Sequence, residues 1–379
     1  MTIVYAEDFI VEGKPSEPIT PNFTVREFTT GRGLYIHREL VGALQEMRDA
    51  ALVPIRVQGL QPRAGRGKGA RGCFAFVTSA DPAALLEIAQ TLIRKKFIAR
   101  AEALGRDVYV EIPDPSVPWP LEADLALERA VRVTAAYETS GDPFQQVTGN
   151  FDGAGFSFGP LQVNFRSGTL PQLFRRYEMA DANALRACFP SPAHWKEWQR
   201  VLSAKPAAQL RWADERSKGA RKAEVAEPWK SCLQAVGRVE AFRTATLDYA
   251  YDVYGRKLIV ALSWLHGLWR GRIDNFACLC ALYDLCVQQG SLNKAHQAIR
   301  ARVERERPMS QFDVVQIAVE ERALRANAAW RADCLSRRLS ILHREPVTIT
   351  EAGKTVTRTN LRSYLIRNAP VKGAEKYLT

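Results

Sequence analysis

The sequence lacks the features of a membrane protein and of a metalloenzyme. It contains no run of about 18 consecutive apolar residues, so we expect no membrane span. Its N-terminal segment starts with acidic residues and has no positively charged region, so we expect no Sec signal peptide. The five histidines are scattered without the spacing of a metal site or a catalytic triad. We therefore predict that the protein uses no metal and no cofactor.

Cysteine is sparse as well. The seven cysteines are an odd number, and none has the paired spacing of a zinc site. Cys278, Cys280 and Cys286 share one apolar stretch, in which a buried thiol behaves as a small hydrophobic side chain. Unpaired cysteines are typical of proteins made in a reducing compartment. We therefore expect the protein to be made in the cytoplasm.

Positive charge, in contrast, is in excess. The chain carries 53 Lys and Arg residues against 41 Asp and Glu residues, a formal net charge of +12 at pH 7. Such a charge favours an anionic partner, and both nucleic acid and the bacterial envelope are anionic. The basic residues are spread along the chain and are not gathered in one helix, which favours surface attraction over sequence readout. Nucleic acid is therefore the less favoured partner.

The pattern of strand-like and helix-like segments and the position of the prolines predict more than one domain. Residues 1–118 alternate between strand-like and helix-like segments, which is typical of a small α+β domain. Three prolines fall within residues 114–120 and mark a linker. Residues 119–345 are mainly helical, and residues 346–379 form a hairpin and a basic tail that we expect to pack on them. The predicted fold class is α+β, a small N-terminal domain followed by a mainly helical domain.

Apolar periodicity predicts several helices in the larger domain. They are 171–177, 192–202, 229–251, 256–269, 273–289 and 313–339. Residues 204–226 interrupt this pattern with many Lys, Arg and Glu side chains, and we predict a mobile surface segment there.

One stretch, residues 135–162, has the residue types of a catalytic site. Glu138 stands at the end of an apolar helix, just before helix-breaking residues, and Asp152 lies in a glycine-rich turn. Cleavage of a glycosidic bond needs two such carboxyl groups. One protonates the leaving oxygen, and the other activates a water or stabilises the transition state. Either carboxylate alone also fits a structural role, at a helix end or in an Asp-Gly turn.

Residues 151–162 read Phe-Asp-Gly-Ala-Gly-Phe-Ser-Phe-Gly-Pro-Leu-Gln. With Glu138 before it, this motif resembles the lysozyme-like superfamily, most closely the chitosanase-type glycosidases and the related phage peptidoglycan hydrolases. The resemblance implies that Glu138 is the general acid and that Asp152 is the second carboxylate. It also implies a lysozyme-like fold with a short β-region for the larger domain.

Four polar residues near the two carboxylates complete the expected site. Ser157 and Gln162 occupy positions that, in the resemblance, line the sugar cleft and hydrogen-bond substrate or water. Thr148 and Asn150, just before Asp152, are placed to orient the attacking water. The alternative for all four is an ordinary polar role in an edge strand or a loop.

The N-terminal domain has a resemblance of its own, to the zinc D-Ala–D-Ala carboxypeptidases, through residues 23–28 and the helical segment 36–50. That family binds zinc through a Ser-x-His-x-x-Gly-x-x-x-Asp segment and a later His. Residues 69–77 of this chain contain neither His nor Asp, and Tyr109 stands where the later His is expected. A zinc site needs three protein ligands. We therefore predict a degenerate domain that binds the cell wall or serves as a scaffold.

Together these features predict a muramidase that cleaves the β-1,4 bond of peptidoglycan. The alternatives are a lytic transglycosylase that works with Glu138 alone, a chitosanase, and a non-catalytic basic module that binds cell wall or nucleic acid. Without a signal peptide, the protein must reach the periplasm or cell wall by another route, such as a holin, a phage particle or a secretion machine. A secreted antibacterial toxin would also have an immunity protein as its partner.

Overall fold

Two compact units make up the chain in the computed structural model. The structure describes residues 4–6, 9–30, 33–34, 36–51, 54–59, 73–94, 97–113, 121–137, 142–360 and 362–372. One unit combines residues 1–133 with residues 258–379, and the other spans residues 134–257. These limits differ from the predicted domain boundaries, which remain predictions.

Helices account for most of the described chain. They are α1 (Val25–Phe28), α2 (Arg38–Ala51), α3 (Pro82–Arg94), α4 (Ala123–Ala135), α5 (Thr169–Ala187), α6 (Pro192–Ser203), α7 (Pro206–Glu215), α8 (Trp229–Val236), α9 (Glu240–Ala250), α10 (Arg256–Trp269), α11 (Phe276–Gln289), α12 (His296–Glu306), α13 (Gln311–Leu324) and α14 (Ala328–Leu342). Within the described residues, none of the helices has both the length and the apolar character needed to cross a membrane.

The strands are short and form small sheets. They are β1 (Val4–Ala6), β2 (Phe9–Glu12), β3 (Thr29–Thr30), β4 (Gly33–Leu34), β5 (Ile36–His37), β6 (Arg56–Gly59), β7 (Phe74–Thr78), β8 (Arg100–Leu104), β9 (Asp107–Glu111), β10 (Leu121–Glu122), β11 (Val147–Thr148), β12 (Ser157–Phe158), β13 (Val163–Asn164), β14 (Ser217–Lys218), β15 (Glu224–Val225), β16 (Val347–Glu351), β17 (Lys354–Arg358) and β18 (Val371–Lys372). The predicted α+β class with a mainly helical part is confirmed.

A four-stranded antiparallel sheet organises the N-terminal part of the first unit. Its strand order is β6–β7–β9–β8, and α3 packs on β8 and β9. Asp81 begins α3 by accepting a hydrogen bond from the backbone N–H of Ala84 at 3.0 Å, and Pro82 occupies the first turn. A helix capped at Asp81 thus follows the buried strand β7.

In the helical part of this unit, α11 forms the centre of the core. Every residue from Phe276 to Cys286 is buried, and α13 and α14 pack on the helix. Asp284 lies fully buried on α11 and accepts a hydrogen bond from Nε of Arg337 on α14 at 2.8 Å. Arg338 is buried beside it, with its Nε 3.7 Å from the second carboxylate oxygen. The buried carboxylate is tolerated because cations compensate its charge.

The C-terminal residues belong to the same unit. Val371 of β18 pairs with Leu121 of β10 in a parallel arrangement, and the hairpin β16–β17 packs on α14. Nη2 of Arg367 reaches the carboxylate of Glu39 on α2 at 2.7 Å. Arg367 therefore links the C-terminal residues to α2. The expected packing of residues 346–379 on the helical domain remains a prediction.

Acid should weaken the first unit through Glu39. Burial alone would raise the pKa of this carboxyl, but Arg367 and Arg129 outweigh it and lower the pKa from 4.5 to about 2. A carboxylate whose pKa falls on folding stabilises the folded state above its unfolded pKa. This contribution, on the order of 3 kcal/mol, is lost as the pH falls through the folded value.

Urea unfolding of the wild type and of Glu39→Gln between about pH 7 and pH 2 measures this contribution. The difference in unfolding free energy should be largest near neutral pH and should shrink between about pH 4.5 and pH 2. A difference that does not change with pH would contradict the assignment.

Aromatic rings form the core of the second unit. The ring of Trp198 on α6 lies 5.0 Å from Phe174 of α5 and 5.7 Å from Trp212 of α7, measured between centroids. Trp212 meets Trp229 of α8 edge-on at 4.8 Å. Phe165, just after β13, joins the cluster at 6.1 Å from Trp198. Four helices are thus packed around the chain that leaves the small sheet β11–β13.

Two helices predicted as single elements are divided in the structure. The predicted helix at 229–251 becomes α8 and α9, because the chain turns at Gly237. A Cβ there would lie 2.1 Å from the carbonyl oxygen of Phe144. The predicted helix at 313–339 becomes α13 and α14, and Asn327 caps α14. The apolar periodicity runs through both breaks, so the pattern did not show them.

The segment at 204–226, predicted to be a mobile surface segment, forms regular structure instead. It contains α7, which begins at Pro206 and buries Trp212 and Ala213. The hairpin β14–β15 follows, with Ser217 opposite Val225. The many charged residues of this segment hid the short apolar face of α7.

Candidate active site

The predicted site lies on the three-stranded antiparallel sheet β11–β12–β13. Thr148 pairs with Ser157 across the first two strands, and Ser157 pairs with Asn164 across the next two. Residues 149–156 connect β11 to β12 and are called the Asp152 loop below. The short β-region expected from the sequence is therefore present.

Asp152 lies exposed on this loop. Its Oδ1 accepts a hydrogen bond from the backbone N–H of Ala154 at 2.9 Å, and the N–H of Gly153 donates to the carbonyl of Asn150 at 3.3 Å. Gly153 has φ +76°, in the left-handed region that favours glycine. The turn fixes the backbone beneath the carboxylate. It leaves Oδ2 of Asp152 without a partner among the described residues.

Asn150 holds the Asp152 loop in place through three further hydrogen bonds. Its Oδ1 accepts from the N–H of Gly155 at 2.8 Å, which closes the loop. Its backbone N–H donates to Oγ of Ser217 at 2.9 Å, and its Nδ2 donates to Oδ1 of Asp214 at 2.8 Å. These contacts give Asn150 a structural role in the loop, and orientation of a water by Asn150 remains a prediction.

Asp214, near the end of α7, anchors Asn150 in turn. Its second oxygen accepts a hydrogen bond from Nζ of Lys222 in the β14–β15 hairpin. Hydrogen bonds from Lys222 and Asn150 lower the pKa of Asp214, so it serves as an ionised acceptor. Sequence reasoning missed this residue, since it follows Asn150 by 64 positions, within the segment predicted to be mobile. No local motif marks it.

The other three predicted binding residues are held by local structure. Ser157 is only 5% exposed, and Gln162, at φ +49°, donates its Nε2 to the carbonyl of Gly159 at 3.0 Å. Oγ1 of Thr148 is buried and has no hydrogen-bond partner in the part of the chain that the structure describes. Substrate contacts by these residues remain predictions.

Glu138, the predicted general acid, lies outside the described residues, so its pairing with Asp152 remains a prediction. The described chain resumes at Asp142, whose Oδ1 accepts a hydrogen bond from the N–H of Phe144 at 3.1 Å. Oδ2 of Asp142 accepts from Nη2 of Arg243 on α9 at 2.5 Å. Asp142 is therefore tied to α9.

In the residues that the structure describes, no three His, Cys, Asp or Glu side chains are grouped to hold a metal ion. Of the segment compared with the zinc carboxypeptidases, residues 69–72 lie outside the described residues. Tyr109 is buried in the sheet of the first unit and donates its hydroxyl to Glu111 at 3.0 Å. Cys73 is buried as well.

Asp214→Ala should lower any activity that depends on Asp152, because Asn150 and Lys222 both lose their acceptor. A displacement of about 1 Å in a reacting group can cost up to about 10²-fold, and we expect a loss of about tenfold with the fold retained. Turnover and thermal unfolding of the variant would be measured beside Glu215→Ala, which removes the same charge one position further. Equal turnover in the two variants would contradict the role of Asp214.

Comparisons with known proteins give matches among solved structures alone. No protein-family model matches the sequence, and no curated protein matches it. A native chitosanase from Bacillus subtilis MY002 is similar in structure at a TM-score of 0.40 and 13% identity, over 63% of this chain and 100% of the chitosanase. A GH46 chitosanase from Gynuella sunshinyii in complex with chitotetraose gives a TM-score of 0.40 and 15% identity, over 62% and 98%. TM-scores at this level do not establish a common fold.

Proposed function

We propose that the protein is a glycoside hydrolase of the muramidase type, which cleaves the β-1,4 bonds of the amino-sugar polymer of the bacterial cell wall. In this proposal Glu138 protonates the leaving oxygen and Asp152 activates the attacking water from the opposite face of the sugar. Carboxyl groups in this arrangement stand about 6.5–9.5 Å apart.

The main observation behind the proposal is the exposure and fixed backbone of Asp152. Its carboxylate is exposed, its backbone is fixed by the turn at Gly153, and Oδ2 has no partner among the described residues. A carboxylate that is held in position but forms no ion pair can take a proton from a water. The bond between Asn150 and Asp214 holds the loop in one geometry, which a positioned base requires.

Charge near the loop suits an anionic polymer. The β14–β15 hairpin meets the Asp152 loop through a hydrogen bond from the N–H of Gly149 to the carbonyl of Ala223 at 2.9 Å. Lys218 and Arg221 of this hairpin are exposed. Charges at the surface attract over about 8 Å at physiological ionic strength. Chitosan, a polycation, would be repelled by the same residues.

One experiment separates this proposal from its alternatives. The purified protein is incubated with peptidoglycan and, separately, with chitosan, and the soluble products are identified by mass spectrometry. Hydrated reducing ends from peptidoglycan support the muramidase, whereas 1,6-anhydro ends identify a lytic transglycosylase. Cleavage of chitosan alone identifies a chitosanase. Binding of the wall without any product identifies a non-catalytic module.

A wall-degrading protein also needs a route to its substrate. A holin, a phage particle or a secretion machine would supply it, and a secreted toxin would be encoded beside an immunity protein. The genes next to this one decide between these routes.

A further inference from the structure

Arg166 is packed against the Asp152 loop. It lies just after β13, and its backbone N–H donates to the carbonyl of Ala154 at 3.0 Å. A Cβ on Gly153 would lie 2.6 Å from Nη2 of Arg166, so the guanidinium occupies the space that the missing side chain leaves open. Gly153 directly follows Asp152. The guanidinium of Arg166 therefore lies against the loop that carries the carboxylate.

The guanidinium of Arg166 is free to bind a ligand. Arg166 is exposed, and no carboxylate of the described residues lies within 4.0 Å of it. In the same unit, Arg216 is paired with Glu197 and Arg243 with Asp142. Arg166 is thus a cation at the candidate site whose charge no described residue neutralises.

Phe151 borders the carboxylate on its other side along the chain. Its side chain is 55% exposed, although a large apolar side chain of this kind is usually buried. An aromatic face in this position offers a surface on which a sugar ring can lie. The loop thus carries an apolar face and a carboxylate, and the cation of Arg166 lies against it.

We propose that Arg166 and Phe151 form a subsite for an amino sugar that carries a carboxylate, and that Arg166 selects this substrate over uncharged and cationic glycans. The proposal rests on the proposed function, whose substrate it narrows. The planar guanidinium presents paired N–H donors that match a carboxylate. The same group repels the ammonium of a glucosamine polymer. The carboxylate is either that of the lactyl ether on the sugar or that of an attached stem peptide.

The test measures binding, separately from cleavage. Every chain carries Glu138→Gln so that bound glycan stays intact, and calorimetry compares four tetrasaccharides of the same length. These are a peptide-free glycan with free lactyl carboxylates, the same glycan with those carboxylates amidated, a glycan that retains its stem peptides, and a glucosamine oligomer. The protein variants are Arg166→Gln, Arg166→Lys and, as a matched control, Arg186→Gln, which removes an exposed arginine in the last turn of α5.

The chain with native Arg166 should bind a carboxylate-bearing glycan roughly five- to tenfold more tightly than the amidated one. Arg166→Gln should abolish this preference, Arg166→Lys should keep part of it, and Arg186→Gln should keep all of it. A preference seen with the peptide-free glycan assigns the carboxylate to the sugar. A preference seen only with stem peptides assigns it to the peptide.

If neither the peptide-free glycan with free carboxylates nor the glycan with stem peptides binds more tightly than the amidated glycan, the subsite is overturned. A preference that survives Arg166→Gln would overturn it too. Tighter binding of the glucosamine oligomer would overturn it as well. Failure of the proposed function has a different signature, since the wild-type chain would then release no product from peptidoglycan, whatever its binding preference.

Discussion

The Glu138→Gln variant should lose wall-degrading activity by roughly 10²–10⁴-fold while its fold is retained. The amide has nearly the shape of the carboxyl group and keeps hydrogen-bonding atoms, but it has no proton to give to the leaving oxygen. An alkoxide is a poor leaving group, so loss of the general acid should affect the bond-breaking step directly. The fall should appear in kcat, since binding of the glycan depends on other residues.

Release of reducing ends from purified peptidoglycan measures this loss, and circular dichroism with thermal unfolding checks the fold. Glu240→Gln is the matched control, because it makes the same replacement at an exposed position in the first turn of α9. Near-normal turnover in Glu138→Gln, with the control also active, would remove Glu138 from the mechanism. The second carboxylate would then need a different partner.

Elements that depend on neighbouring residues could be predicted from the sequence. Elements that depend on residues far apart in the chain could not. The β7–α3 unit was predictable because a buried strand and a helix cap at Asp81 are both local signals. The Asp152 loop was predictable for the same reason, since Asp-Gly turns and alternating glycines act within a few residues. The turn at Asp152 was therefore predictable from its neighbouring residues.

The missed features depend on residues far apart in the chain. The break between α8 and α9 falls at Gly237, which lies close against the carbonyl of Phe144, and no pattern around Gly237 shows this contact. Asp214 belongs to the site only because α7 brings it to Asn150, and α7 itself was hidden by its charged residues. Arg166 shares this property, because its contact with Gly153 depends on the pairing of the strands around it.

Residues distant in sequence hold the Asp152 loop, and this favours one of two possible roles for Asp152, general base or charge stabiliser. A carboxylate that only stabilised charge would act over several ångströms and would tolerate a mobile loop. The loop here is closed by the bond from Gly155 to Asn150, and Asn150 is held by Asp214. Such fixing is what a base needs if it is to meet one water in one direction.

Asp152→Asn should therefore remove most of the activity, by roughly 10²-fold or more, although less than Glu138→Gln. Asparagine can still accept the hydrogen bond from Ala154, so the turn should survive, but the amide cannot take a proton from water. Asp181→Asn serves as the matched control, because Asp181 is also exposed and also accepts a backbone hydrogen bond, from Ala184 at 2.9 Å.

The products decide what Asp152 does. Attack of water from the face opposite Glu138 gives hydrated ends with the α-configuration, the result expected of an inverting pair. A lytic transglycosylase instead uses the 6-hydroxyl of the sugar as the nucleophile, releases 1,6-anhydro ends and needs no second carboxylate. Mass spectrometry and NMR of freshly digested wall distinguish the two outcomes. Anhydro ends, together with an active Asp152→Asn variant, would leave Glu138 as the single acid and Asp152 as a residue of the turn.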